Sequence, residues 1–288
     1  MKAKMLSCDI LPFVGDNILD KLEGAQREVF ARNKASMRAN YGDTVDSALN
    51  TYQVLLCNQT RKYLYSDAWK VTNYQKGSRP RLEKVVFSLV KDEKTQMGKV
   101  LAIMRFCRDL YKKTNAQNPY DGGSEEDLIE KGEHLCECLS RLCVALCEII
   151  NIPARIVMHV GGGHLTTEIC IDGDWGYFDT RAGMFFIKND GKVANVCEIL
   201  DNPDLIYAQP QWVKNEVSDR WSWDFRAKRC YDFFFDKREV NTIKPYSLSD
   251  IGLYSFAHRT AEDEQKDGLS QKCQEYEESI NRLFSNEN

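Results

Sequence analysis

Between about residue 15 and residue 60, apolar side chains recur at helical spacing. Ile18, Leu19, Leu22, Val29 and Phe30 stand among charged residues and predict amphipathic helix. The run Val85–Val90 is short and β-branched, and it fits either a strand or a buried turn of helix. A clearer helix is predicted over 97–112, from Met97, Val100, Leu101, Ile103, Met104, Phe106, Leu110 and Tyr111. Turn chemistry follows from Pro119 to Gly123, with Ser124 placed to cap another helix. The strongest helix pattern spans 134–150, where Leu135, Leu139, Leu142, Leu146 and Ile149 repeat until Asn151 and Pro153 stop it. Beyond Pro153 the period changes to strand-like. Ala154–Val160, His164–Ile171 and Trp175–Asp179 read as three strands, joined by Gly161-Gly-Gly and Asp172-Gly-Asp turns of hairpin type. A mixed segment has an Asp-Gly turn at 190–191 and an aromatic-rich stretch over 212–235, and from Arg259 the chain is polar. Together these predict an α+β protein with a helical extension over 1–92, a central unit over 93–257 and a polar tail or helix over 258–288.

Composition narrows the function classes. With 288 residues and 43% hydrophobic content, the chain can bury a large core, and 13 Phe, 13 Tyr and 5 Trp argue against disorder. A net charge of −4 disfavours nucleic acid or an anionic membrane as the main partner. No apolar run approaches the roughly 18 residues of a membrane span. Asp9 and Asp16 interrupt any apolar signal region near the start, so no secretory signal is expected and a cytoplasmic location is. Eleven cysteines form an odd set, for which a full disulfide framework is a poor account. At least one thiol should be free unless it pairs with another chain.

One thiol stands out by position. Cys136 opens the 134–150 helix, where unpaired backbone N–H groups and the helix dipole favour a thiolate and can donate to an oxyanion. A cysteine nucleophile needs a base, and the base needs an orienter. If Asp172-Gly173 is a two-residue turn, Ile171 faces Asp174 and His164 faces Arg181. Asp179 then lies diagonally across from His164 on the same face, whereas a one-residue slip would send it to the other face. His134, two residues before Cys136, is a rival base. His159 is expected in the core or on the surface, and Cys138, Cys143 and Cys147 are expected as packing residues. His134-x-Cys136-x-Cys138 lacks the second ligand pair of a structural zinc site, so no metal and no cofactor is implied. Gly161-Gly-Gly lacks the following helix and Lys-Ser/Thr of a phosphate loop, and it is expected to be a mobile turn that lets substrate approach His164. The aromatic stretch from Trp212 to Phe235 is expected in the core.

The block from Cys136 through Ile152-Pro-Ala-Arg155, then His164-Leu-Thr-Thr-Glu168, then Trp175-Gly-Tyr-Phe-Asp179 resembles the core of the transglutaminase-like superfamily, relatives of papain-type cysteine proteases. The resemblance covers residues 132–181 specifically and extends to the preceding helix ending in Tyr111. It implies a nucleophile helix packed on an antiparallel sheet, with Cys136 as nucleophile, His164 as general base and Asp179 as the residue that orients it. Glu168 matches the family's strand glutamate, and Arg155 is expected to pair with a carboxylate near the core. Tyr111 and His134 are the other candidates near substrate or oxyanion. This chain departs from the family pattern at His134 and Asn151, where glycine is usual, and at Thr166, where an aromatic residue is usual. Neither animal-type calcium sites nor paired Cys-x-x-Cys zinc sites are recognisable. The implied activity is cysteine-dependent acyl transfer on a protein, peptide or other amide-bearing substrate. Hydrolysis is the expected outcome, with transamidation or a catalytically silent binding protein of the same fold as alternatives.

Overall fold

The computed structural model describes residues 9–41, 53–72, 74–114 and 124–244. The first segment contains helix α1 (Gly24–Tyr41), and the second contains strand β1 (Val54–Leu55) and helix α2 (Asn58–Leu64). Helix α3 (Pro80–Val90) starts with proline at its first turn and buries Leu82, Val86 and Val90 at spacing four. That stripe is why the β-branched Val85–Val90 run is helix rather than strand. Helix α4 (Gln96–Asp109) is capped by the Thr95 side chain and buries Val100, Ile103, Met104 and Cys107. A Ser124–Asp127 capping box opens helix α5 (Glu125–Lys131).

Helix α6 (Cys136–Ile149) is buried on every side from Cys138 onward, as expected of a helix at the centre of a domain. Asn151 then takes a left-handed φ of 61° and turns the chain out of the helix. Strands β2 (Ala154–His159), β3 (His164–Ile171), β4 (Asp174–Asp179) and β5 (Met184–Phe185) follow. Asp172 and Gly173 have φ of 50° and 89°, the left-handed pair that a two-residue hairpin turn requires. Ile171 therefore faces Asp174, and Thr167 faces Phe178, the register that the turn chemistry predicts. Helices α7 (Val196–Asp201), α8 (Gln211–Lys214) and α9 (Trp223–Arg229) precede the last strand, β6 (Asn241–Ile243). The sheet is antiparallel, in the order β1-β6-β2-β3-β4-β5.

Alternation along the strands builds two cores. Ile156, Ile169 and Phe178 face helices α3, α4 and α6, while Val157, Cys170 and Tyr177 face a second cluster with Trp69, Phe186 and Phe234. The first ninety residues are therefore more than a helical extension. They supply edge strand β1, and Ile10, Val14, Leu56 and Leu64 join the second core. The predicted tail over 258–288 lies outside the described residues. No helix among the described residues is long and apolar enough to cross a membrane.

A buried ion pair ties the second core to the sheet. The Arg155 guanidinium donates to Glu168 at 2.7 and 2.9 Å and lies between the rings of Tyr65 (4.7 Å) and Trp175 (4.1 Å). Glu168 also accepts from the Tyr65 hydroxyl at 2.6 Å and the Val196 N–H at 2.8 Å. Arg155→Leu leaves that carboxylate buried without its countercharge. It is expected to lower the free energy of unfolding by about 3–5 kcal/mol in urea titration.

Candidate active site

The first turn of α6 places Cys136. Its N-cap, Leu135, has no side chain able to cap. The buried Glu133 carboxylate instead accepts from the N–H groups of His134 (2.6 Å) and Leu135 (2.9 Å). The preceding amides are thus occupied, and the first amide of the helix, on Cys136 itself, is left for a ligand. Cys136 as a residue is partly exposed, while its thiol is closely surrounded by protein.

The imidazole beside that thiol belongs to His164, which opens β3. Its Nε2 lies 2.9 Å from Asp179 Oδ2, so Nδ1 is the ring nitrogen left for Cys136. The Leu165 N–H also donates to the thiol. Asp179 ends β4, and the residues after it fold back in a tight turn. The Ala182 N–H donates to Asp179 Oδ1 at 3.0 Å, and the Gly183 N–H donates to the Asp179 carbonyl at 2.8 Å. Gly183 has φ of 73°, and a Cβ there would lie 2.3 Å from the Glu216 carbonyl oxygen, so only glycine fits this turn. The turn fixes the carboxylate on the same sheet face as His164.

A fourth group completes the buried array. The Arg226 guanidinium, on α9, donates to the same Asp179 Oδ2 that meets the histidine. Asp179 is fully buried and Arg226 almost so. Phe234 stacks on His164 at 4.6 Å between ring centroids and on His159 at 5.0 Å. His159 and His164 are register partners.

The electrostatics follow from these neighbours. Burial penalises a charged His164, but Asp179 and a Cys136 thiolate outweigh it and raise this imidazole to about 9. Burial likewise opposes a charged Cys136, yet His164, the Leu165 N–H and Arg181 bring the thiol below its ordinary value. Asp179 is held far below the usual carboxylate range. Burial would push it up, and the charges of His164 and Arg226 override burial. Burial and the neighbouring His164 charge push His159 down to about 3. The arrangement therefore favours a thiolate–imidazolium pair over the neutral pair, with a neutral histidine behind it. By NMR titration of the imidazole signals, assigned through His→Gln variants, one resonance is expected near pH 9 and lost in His164→Gln, while the His159 resonance stays neutral down to about pH 3. The linkage sign is set by the raised value. His164 stabilises the fold fully below about pH 6.5, its unfolded value. That contribution disappears as pH rises through 9.

The other sequence candidates are engaged in other contacts. His134 Nδ1 is 3.7 Å from Glu133. Glu168 is spent on Arg155, Tyr65 and Val196, which makes it part of the scaffold and not a group facing substrate. The Tyr111 hydroxyl donates to Asp219, so it is not poised as an oxyanion donor beside the thiol. Cys138, Cys143 and Cys147 are fully buried, and every cysteine among the described residues is a free thiol. The Gly161-Gly162-Gly163 turn is clasped and not open. The Glu239 carboxylate accepts from the N–H groups of Gly161 and Gly162, and a Cβ on Gly162 would lie 2.7 Å from the Phe234 ring. The aromatic stretch divides. Phe234 and Phe235 are buried, whereas Trp212, Phe225, Tyr231 and Phe233 are exposed.

Glu133, Phe234 and Arg226 were not singled out by sequence pattern as site residues. Arg181 carried the one available signal, because the register extrapolated from the Asp172-Gly173 turn sets it opposite His164, although the observed β3–β4 pairing stops at Thr167 and Phe178.

No curated protein and no solved structure matches this chain. The sequence model of the transglutaminase-like superfamily matches residues 83–180, a span that contains Cys136, His164 and Asp179. Over residues 83–180, about a third of its length, the chain is similar to a transglutaminase-like core.

Proposed function

We propose that Cys136, His164 and Asp179 act as a Cys–His–Asp triad for acyl transfer from an amide, with water as the acceptor. The observation that carries this reading is the pairing of the Cys136 thiol with an imidazole whose other nitrogen is held 2.9 Å from a buried carboxylate. The thiolate attacks the carbonyl carbon, and the Cys136 N–H holds the resulting oxyanion. His164 delivers its proton to the leaving amine as the C–N bond breaks, leaving a thioester on Cys136. The neutral imidazole then takes a proton from water, whose oxygen attacks the thioester, and the carboxylic acid leaves as the thiolate returns. Asp179 fixes the imidazole tautomer and stabilises the imidazolium in both halves.

Competitive labelling with substoichiometric iodoacetamide near neutral pH, read by peptide mass spectrometry, tests the reading. Cys136 is expected to react well ahead of every other cysteine, since burial pushes Cys197 and Cys230 up to about 12. Equal labelling of Cys136 and the buried thiols, or amide turnover that survives Cys136→Ala, defeats it. Measuring released amine against incorporation of an added primary amine separates hydrolysis from transamidation. A silent scaffold would show selective labelling in neither assay and no turnover.

A further inference from the structure

Beside the thiol lies a group of positive charges that the acyl-transfer chemistry does not use. Arg181 and Arg220 flank Trp221, with guanidinium carbons 5.6 and 4.2 Å from its ring centroid, and Arg226 packs on the same ring at 4.9 Å. Arg226 is spent on Asp179. The other two have no carboxylate partner among the described residues. Arg220 donates to the Arg181 carbonyl at 3.2 Å, and its guanidinium stacks on Tyr111 at 4.1 Å. The Arg181 guanidinium meets no acceptor among the described residues, and the Nε atoms of both arginines are buried without an acceptor there. The nearest acid, Asp219, is taken up by the Tyr111 hydroxyl and by Lys112 at 3.7 Å. Glu216 is likewise occupied, by Arg105 and Arg108. Two like charges on one ring repel each other and are costly to desolvate without a counterion. Both side chains nonetheless stay partly open to solvent.

The position matters as much as the charge. Arg181 follows Asp179 by two residues in the turn closed by Ala182 and Gly183, and its charge is one of those acting on Cys136. Trp221 and Arg226 connect that turn to the buried end of the array. The cluster therefore runs from Asp179 out to the surface on the side of the thiol.

We propose that Arg181 and Arg220, supported by Trp221, form a carboxylate-binding subsite, so that the preferred substrate carries a negative charge next to the amide that Cys136 attacks. The planar forks of two guanidiniums suit a carboxylate's two oxygens. The inference rests on Cys136 being the nucleophile. It adds that the substrate is acidic near the reacting bond, through either a C-terminal carboxylate or an acidic side chain.

The test compares alkylation of Cys136 by iodoacetate and by iodoacetamide, reagents that differ in the carboxylate. Their rate ratio cancels any change in the thiolate population. Arg181→Gln and Arg220→Gln are each expected to lower the iodoacetate-to-iodoacetamide ratio by about tenfold, the scale of one charge-assisted hydrogen bond. Lys62→Gln, which removes an exposed charge on helix α2, should leave the ratio in place. A ratio unchanged in both arginine variants, or lowered equally by Lys62→Gln, overturns the subsite. If wild-type Cys136 is not selectively alkylated by iodoacetamide at all, the nucleophile assignment fails instead. Protection of Cys136 by acetyl-Ala-Ala-Ala identifies a C-terminal carboxylate as the ligand, and protection by acetyl-Ala-Asp-Ala-amide identifies an acidic side chain. Equal protection by the neutral acetyl-Ala-Ala-Ala-amide counts against both.

Discussion

His164→Ala is expected to slow alkylation of Cys136 at pH 7 by about 100-fold or more, and to lower amide turnover by about four orders of magnitude. The two figures have separate origins. In the intact site the imidazole's charge and hydrogen bond, with the Leu165 N–H and Arg181, offset burial and bring the thiol below its ordinary value. Without the imidazole, burial is the largest remaining influence and the thiol moves up. The thiolate fraction at pH 7 then falls by tenfold for each unit that the thiol rises, and a rise of about two units gives the 100-fold scale. Turnover suffers that loss and a second one, since no group remains to protonate the leaving amine. General acid–base assistance of this kind contributes about 10²–10⁴-fold. The alkylation rate as a function of pH separates the two. His164→Ala should show a rising limb displaced to higher pH than that of the wild-type protein. His134→Ala is the informative comparison. His134 is anchored beside Glu133, so its removal should leave the position of the limb nearly where it was. A larger displacement in His134→Ala than in His164→Ala would assign the base to the wrong histidine.

The segment that holds the proposed triad was legible in sequence because its interactions are local or set by register. The helix over 134–150, the three strands after it and the Asp172-Gly173 turn follow from period and turn chemistry alone. The register that follows brings Asp179 to the face of His164 without any long-range information. The unread parts depend on contacts that leave no periodic trace. Strands β1 and β6 have two and three residues, too few for alternation to register, and they pair across nearly the whole described chain. The N-terminal segment accordingly read as a helical extension and not as a sheet edge. Arg226 lies 47 residues from Asp179, in a stretch dominated by aromatic residues that pattern assigns to the core. Its local surroundings give no reason to expect a carboxylate. Glu168 was readable as a strand glutamate, but whether it faces substrate or Arg155 depends on which layer covers that face of the sheet. Tyr65, Trp175 and Val196 settle that question in favour of burial.

Arg226 is where the unread part of the site has the largest consequence, and Arg226→Met is expected to cost about 3–5 kcal/mol of stability in chemical denaturation. That is the scale for removing one partner of a buried ion pair, here a carboxylate with no exposure to water. A purely structural arginine would do no more. Arg226 and His164, however, share one oxygen of Asp179, which gives a second readout with a definite sign. While the guanidinium is present, part of the carboxylate's charge is neutralised before it reaches the imidazole. Without it, Asp179 acts on His164 alone and the imidazolium is held more tightly. The His164 titration is therefore expected to move upward from about 9 in Arg226→Met and to return toward the wild-type value in Arg226→Lys, which restores charge without the planar fork. Asp179→Asn supplies the opposite sign, because with the carboxylate gone burial and the facing Arg226 charge both drive the imidazole down. The high-pH edge of turnover should follow the same order across the three variants. A folded Arg226→Met protein whose His164 titrates at or below the wild-type value would reduce the arginine to a packing element. A rise would identify it as the residue that sets how firmly the triad holds its proton.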